Sequence, residues 1–215
     1  MQYNGNFQYT PYQNDNEREK LQFHFDCCFV NGDKSSLREQ YKALRKIERK
    51  IPEDFVLEAV DISSLVENIT TACDVILWQM GISFVYCGNA TSPVRCNQKL
   101  VTKAILNLIS NAYLYGRENL VTVKTIEIEN FVRIEIQSGG VFEDKLYNNG
   151  LHFVSEVCRK NGGNFFIEQS ITGTKAIMIL QKSLNYNNTQ NVDFYTFIND
   201  RLSHIYVELF GMEYH

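Results

Sequence analysis

The chain has 215 residues, of which 44% are hydrophobic, 13% aromatic and 21% charged, which is enough to bury one large domain with a small appendage and excludes disorder as its main state. Its 21 Lys and Arg against 25 Asp and Glu leave a formal charge of -4, so nucleic acid and anionic membrane surfaces are not default partners. No run approaches the ~18 consecutive apolar residues of a spanning helix, and residues 1–16 are polar and aromatic rather than basic and then apolar, so a soluble, cytoplasmic protein is expected.

Residues 1–16 carry no hydrophobic period and read as a flexible leader. Residues 17–30 are a candidate helix, closed by the turn signal Asn31-Gly32-Asp33. A second, clearer helix is capped by Ser35 or Ser36. Leu37, Tyr41, Leu44, Ile47 and Ile51 recur on one face until Pro52 stops it. Residues 17–54 thus form a short helical hairpin. Its second arm is basic, with Lys34, Arg38, Lys42, Arg45, Lys46, Arg49 and Lys50 between the apolar positions. This suggests a solvated face first, and a surface for an acidic partner second.

From residue 55 the two periods alternate. Residues 55–60 are a short strand, and 62–80 a helix capped by Ser63 or Ser64 and stopped by Gly81. Residues 82–87 are a strand and 88–93 a turn. Asn97 caps a long apolar helix through Leu100, Ile105, Leu108, Ile109 and Ala112. Four alternating segments, 121–128, 131–137, 164–169 and 176–181, read as strands, with a helix over 150–160 between the second and third. This order implies an α+β, two-layer sandwich, helices on one face of a largely antiparallel mixed sheet. Residues 183–191 are an Asn-rich linker. Residues 192–215 supply a C-terminal amphipathic helix in which Tyr195, Ile198, Leu202, Ile205 and Leu209 step by three and four, either packing back on the domain or docking a second chain.

The cysteines at 27, 28, 73, 87, 96 and 158 lack Cys-x-x-Cys spacing, and the histidines at 24, 152, 204 and 215 do not cluster with them. Inert thiols are expected rather than a zinc or redox site.

Several segments resemble one family in register. Val60-Asp61-Ile62-Ser63, Asn97-Gln98-Lys99-Leu100, and above all Asn107-Leu108-Ile109-Ser110-Asn111-Ala112 are similar to successive boxes of the ATP-binding domain of bacterial sensor histidine kinases. Gly150-Leu151, Val154, Gly162-Gly163, Ser170 and Gly173-Thr174 follow in the same order. The resemblance covers residues 59–182 and implies that residues 55–182 form a histidine-kinase-like ATPase domain of the Bergerat type, the fold shared with gyrase-type ATPases and the related heat-shock chaperone.

The resemblance implies Mg-ATP as cofactor, with Asn111 offering a hard oxygen to Mg²⁺ and Asn107, one turn earlier on the same face, holding it in place. It places Ser138 and Gly140 at adenine, Gly150 at the phosphates and Thr174 beside the adenine subsite. Two boxes depart from the pattern. Ser138 stands where the family has the Asp that accepts from the adenine amino group, a loss of about 1–2 kcal/mol. The multi-glycine lid is shortened to Asn148-Asn149-Gly150-Leu151, so the helix start remains but its glycine cradle does not. His24, as Phe23-His24-Phe25-Asp26, is the candidate phosphoacceptor, without the usual adjacent acid. The implied function is a two-component-type signalling protein with weakened Mg-ATP binding. The alternative is an inactive scaffold or phosphotransfer adaptor that binds a response-regulator receiver domain or forms a homodimer through its terminal helices.

Overall fold

The computed structural model describes residues 34–116, 118–139, 149–184, 193–200 and 203–210. His24, Gly140, the leader and the first arm of the hairpin lie outside the described residues.

The second arm is helix α1, Lys34–Glu48. Strand β1 is Glu58–Val60, and α2, Ile62–Leu77, follows it, extended by a single 3-10 turn, Trp78–Met80. The cap of α2 is Asp61, not Ser63 or Ser64: its carboxylate accepts from the Ser64 amide at 3.1 Å and from the Ser64 hydroxyl at 2.8 Å. A carboxylate at this place also favours the positive helix end. Gly81, at φ 76°, ends the helix as expected, in the left-handed region open to glycine.

Strands β2 (Ser83–Gly88) and β3 (Val94–Cys96) lead into α3, Gln98–Tyr115. Here Asn97 caps as the sequence suggests, its side chain accepting from the Leu100 amide at 3.0 Å. Strands β4 (Leu120–Ile128) and β5 (Phe131–Ser138), helix α4 (Asn149–Lys160), and strands β6 (Asn164–Ser170) and β7 (Gly173–Gln181) complete the domain.

The strands form a five-stranded sheet in the order β2-β4-β5-β7-β6, parallel only between β2 and β4, while β1 and β3 pair separately as an antiparallel ribbon. Strand β3 is the element the sequence reading lacks. Period two sends one row of each strand inward: Val121 and Val123, Val132, Ile134 and Ile136, and Ala176, Met178 and Leu180 are all buried. Against them lie the apolar faces of α2, α3 and α4, including Leu65, Ile69, Ile105, Ile109, Val154 and Val157. On the other face Glu135 is bridged by Arg133 at 2.8 Å. The expected α+β sandwich with helices on one face is the observed architecture.

The C-terminal segment is not one helix. It is two short ones, α5 (Tyr195–Ile198) and α6 (His204–Phe210). Between them the polar residues Asn199 and Asp200 turn the chain, and Ser203 donates its amide to the Asp200 carbonyl and its hydroxyl to the Phe197 carbonyl. Both pack back on the domain. Phe197, Ile205 and Leu209 join the main core, and Val207 meets Tyr41 and Leu44 of α1 in a second cluster. No helix of the described residues is long and apolar enough to cross a membrane.

Candidate functional site: the asparagine helix and its cover

Helix α3 packs into the core, and every residue from Ala104 to Ala112 is buried. Asn107 and Asn111, four residues apart, share a face. They are 1% and 4% exposed, and Asn111 Nδ2 donates to Asn107 Oδ1 at 3.4 Å. A buried amide has to be satisfied on both its oxygen and its nitrogen. Asn107 meets this requirement through a residue far away in sequence: its Nδ2 donates to Glu208 Oε1 of α6 at 2.9 Å.

Glu208 is the hub of the site. Arg45 Nε lies 2.8 Å from its Oε1, an Arg45 terminal nitrogen 2.6 Å, an Arg49 terminal nitrogen 2.9 Å and the Ser110 hydroxyl 3.2 Å. Burial opposes the charge on this carboxyl, but the Arg45 and Arg49 guanidiniums outweigh it and hold the carboxyl below its ordinary range. Arg49 shows the converse balance. Desolvation lowers it, with Glu208 opposing and the like charge of Arg45 assisting. A turn away, His204 Nδ1 sits 2.9 Å from Glu48 Oε2, and Lys103 Nζ donates to the Glu48 carbonyl at 3.1 Å. Helices α1, α3 and α6 therefore meet at a charged, buried seam over the asparagine face.

The other expected site residues fall as a second pair and a single position. Ser138 ends β5 and Thr174 is the second residue of β7, directly opposite each other in the register, 3% and 1% exposed. Gly173, at φ 146°, brings its backbone so close to the Ser138 carbonyl that a Cβ there would meet it. Gly150 is buried in the first turn of α4. Asn111 spends its nitrogen on Asn107, so Oδ1 is the atom it would offer a metal. A single amide oxygen suits Mg²⁺, which keeps waters and phosphate oxygens in its other positions. Of the four described cysteines, Cys73, Cys96 and Cys158 are buried and Cys87 is exposed; burial pushes the Cys96 and Cys158 thiols up to about 12, as expected of inert thiols.

Sequence reasoning missed Glu208, Arg45, Arg49 and Ser110. The arginines were visible as a pair at i, i+4, but their reading as solvated is corrected by the structure: their side chains are 15% and 22% exposed and bound to an acid of the same chain. Glu208 carried one signal, an acidic residue set among Ile205, Tyr206, Val207, Leu209 and Phe210.

No protein-family model matches the chain, and comparison with curated proteins finds no match. Solved structures do match. The nucleotide-free catalytic domain of the histidine kinase ThkA superimposes with a TM-score of 0.54 at 17% identity, covering 60% of this chain and 98% of that domain. The ATP-binding domain of PrrB from Mycobacterium tuberculosis gives 0.52 at 20% identity, over 60% of this chain and 99% of that one. Full-length ShkA, solved with AMPPNP, gives 0.60 at 15% identity, over 74% of this chain but 38% of its own length. At such identities the likeness is one of fold. The chain carries the α+β fold of a histidine-kinase-type ATPase domain.

Proposed function

We propose that the protein is a two-component-type signalling protein whose histidine-kinase-type domain binds Mg-ATP weakly, with Asn111 as the magnesium ligand and Asn107 as its support. The observation that carries this reading is the pair of buried amides Asn107 and Asn111 on one face of α3, Asn111 leaning its Nδ2 toward Asn107 Oδ1 at 3.4 Å, an arrangement an apolar helix core does not otherwise need. Ser138 and Thr174, side by side at the ends of β5 and β7, would face adenine with Gly140. A neutral hydroxyl in place of a carboxylate lowers affinity roughly ten-fold. Gly150, at the start of α4, would present backbone amides to the phosphates. When bound, the metal neutralises phosphate charge, and the residues named here bind and orient.

A second reading is favoured by the seating of α6. A domain whose Asn107 is already held by its own C-terminal helix suits an adaptor that has given up catalysis and serves a receiver domain or a second copy of the chain. His24 is the proposed phosphoacceptor in that case. Acid-labile phosphate appearing on the protein after mixing with a phosphorylated receiver, and lost in His24→Ala, is its test.

For the nucleotide reading the test is thermal stability during titration with Mg-ATP. A ligand at one hundred times its Kd stabilises by about 2.7 kcal/mol. The expected result is a rise in Tm at millimolar Mg-ATP that Asn111→Ala abolishes. No rise in the wild-type protein at that concentration defeats the reading.

A further inference from the structure

We infer that Glu208 is a resident stand-in for phosphate: Arg45, Arg49, Asn107 and Ser110 form an anion cradle that α6 fills in the resting molecule and that the phosphates of a bound nucleotide would take over. The inference rests on the nucleotide reading above and names what that site must first exclude.

The geometry that carries it is a mismatch between donors and acceptor. Four donor contacts from Arg45, Arg49 and Asn107, all within 2.9 Å, converge on the single oxygen Oε1 of Glu208, and the Ser110 hydroxyl, which also donates to the Asn107 carbonyl at 2.9 Å, stands 3.2 Å from it. A carboxylate oxygen offers about two acceptor sites, so most of these donors share what one oxygen cannot supply separately. A phosphate group, with three oxygens and a larger charge, matches two guanidiniums, an amide and a hydroxyl better. The Arg49 side chain also keeps its Nε buried and without a hydrogen-bond partner, a donor that the carboxylate leaves unused.

Most of the cradle has anchors besides α6, although the apolar face of α1 that carries Arg45 packs on α6 through Tyr41, Leu44 and Val207. Asn107 and Ser110 belong to the core of α3. Arg49 lies two residues before Ile51, and both Ile51 and Phe55 pack against the main core. Lys103 of α3 also reaches the Glu48 carbonyl at 3.1 Å. Helix α6 follows the turn at the polar residues Asn199 and Asp200, and it is held by Ile205, Val207, Leu209 and the Glu208 carboxylate. An anion that enters must displace this helix. The apparent affinity is then the intrinsic one reduced by the fraction of molecules with α6 released.

The experiment is isothermal titration of the full chain, as wild type, Glu208→Gln and Glu208→Gln with Arg49→Gln, using Mg-ATP and inorganic phosphate as separate probes. Hydrogen exchange of the wild-type segment 203–210 is followed with and without each probe. Neutralising Glu208 is expected to tighten Mg-ATP by roughly ten-fold or more, the added Arg49→Gln is expected to reverse most of that gain, and Mg-ATP is expected to speed exchange in α6. If Glu208→Gln does not fold, the exchange measurement on the wild type decides alone. Mg-ATP that binds equally to wild type and Glu208→Gln, or that leaves α6 protected, overturns the cradle while the nucleotide site stands. Inorganic phosphate that releases α6 as well as Mg-ATP does, with no gain from the nucleoside, upholds the cradle and removes the nucleotide reading. Binding of neither probe to any variant overturns both.

Discussion

Replacing Glu208 by Gln keeps the size and one acceptor oxygen but removes the charge that neutralises Arg45 and Arg49. Breaking a buried pair by deleting one partner costs about 3–5 kcal/mol, because the remaining charge stays desolvated. The Arg45 and Arg49 side chains keep 15% and 22% exposure, so water recovers part of the loss. The low end, about 3 kcal/mol, is the expected destabilisation. For a chain of this size 1 kcal/mol moves Tm by about 2–4 °C, which gives a fall of about 6–12 °C. Undocking of α6 alone is a cheaper opening than global unfolding, so exchange at residues 203–210 should rise before the melting transition broadens. Differential scanning calorimetry with hydrogen exchange measures both. Glu39→Gln, which removes an exposed i,i+3 partner of Lys42, should leave Tm unchanged. A Glu208→Gln protein that melts within about 2 °C of wild type, with α6 equally protected, would show that the carboxylate holds nothing.

Leu209→Ala removes a side chain that is 1% exposed at the junction of α6 with the core and should cost about 2–5 kcal/mol by chemical denaturation. Gly173→Ala places a Cβ against the Ser138 carbonyl at φ 146°, so it should destabilise by more than about 1 kcal/mol, with Tm as the measure. Acid should release α6 as well. The Glu208 carboxyl is held below its ordinary value by the two arginines against the opposing effect of burial, so its contribution is fully present above the unfolded carboxyl pKa of about 4.3 and is lost as pH falls through the lower folded value. The Tm gap between wild type and Glu208→Gln should therefore narrow with pH only in that acid range, and a gap that narrows already near neutrality would contradict the assignment.

What the sequence made legible was local. The cap at Asn97, the stop at Gly81 and the shared face of Asn107 and Asn111 follow from spacing of one to four residues, and each stands in the structure. Strand β3 was hidden because three residues between a turn and a helix cap are too few for a period. The three-four stripe from Tyr195 to Leu209 ran straight through Asn199 and Asp200, where local hydrogen bonding breaks the helix. The seam around Glu208 joins residues 163, 159, 101 and 98 positions apart. No periodicity links such partners, and a basic helix whose acid lies that far along the chain looks solvated when read alone.

The asparagine pair can now be divided by experiment, because the two amides are engaged differently. Asn107 is 1% exposed and spends both ends, its nitrogen on Glu208 at 2.9 Å and its oxygen on Asn111. Asn111 has one long contact, at 3.4 Å. Asn107→Ala should therefore destabilise the ligand-free protein by about 1–3 kcal/mol, the cost of leaving buried polar partners unmade, and should loosen α6. Asn111→Ala should cost less than about 1 kcal/mol without ligand, since a bond of that length contributes little, yet it should remove the response to Mg-ATP. Equal stability losses from the two substitutions would mean that both amides are structural, and the case for a magnesium ligand on α3 would fall with that result.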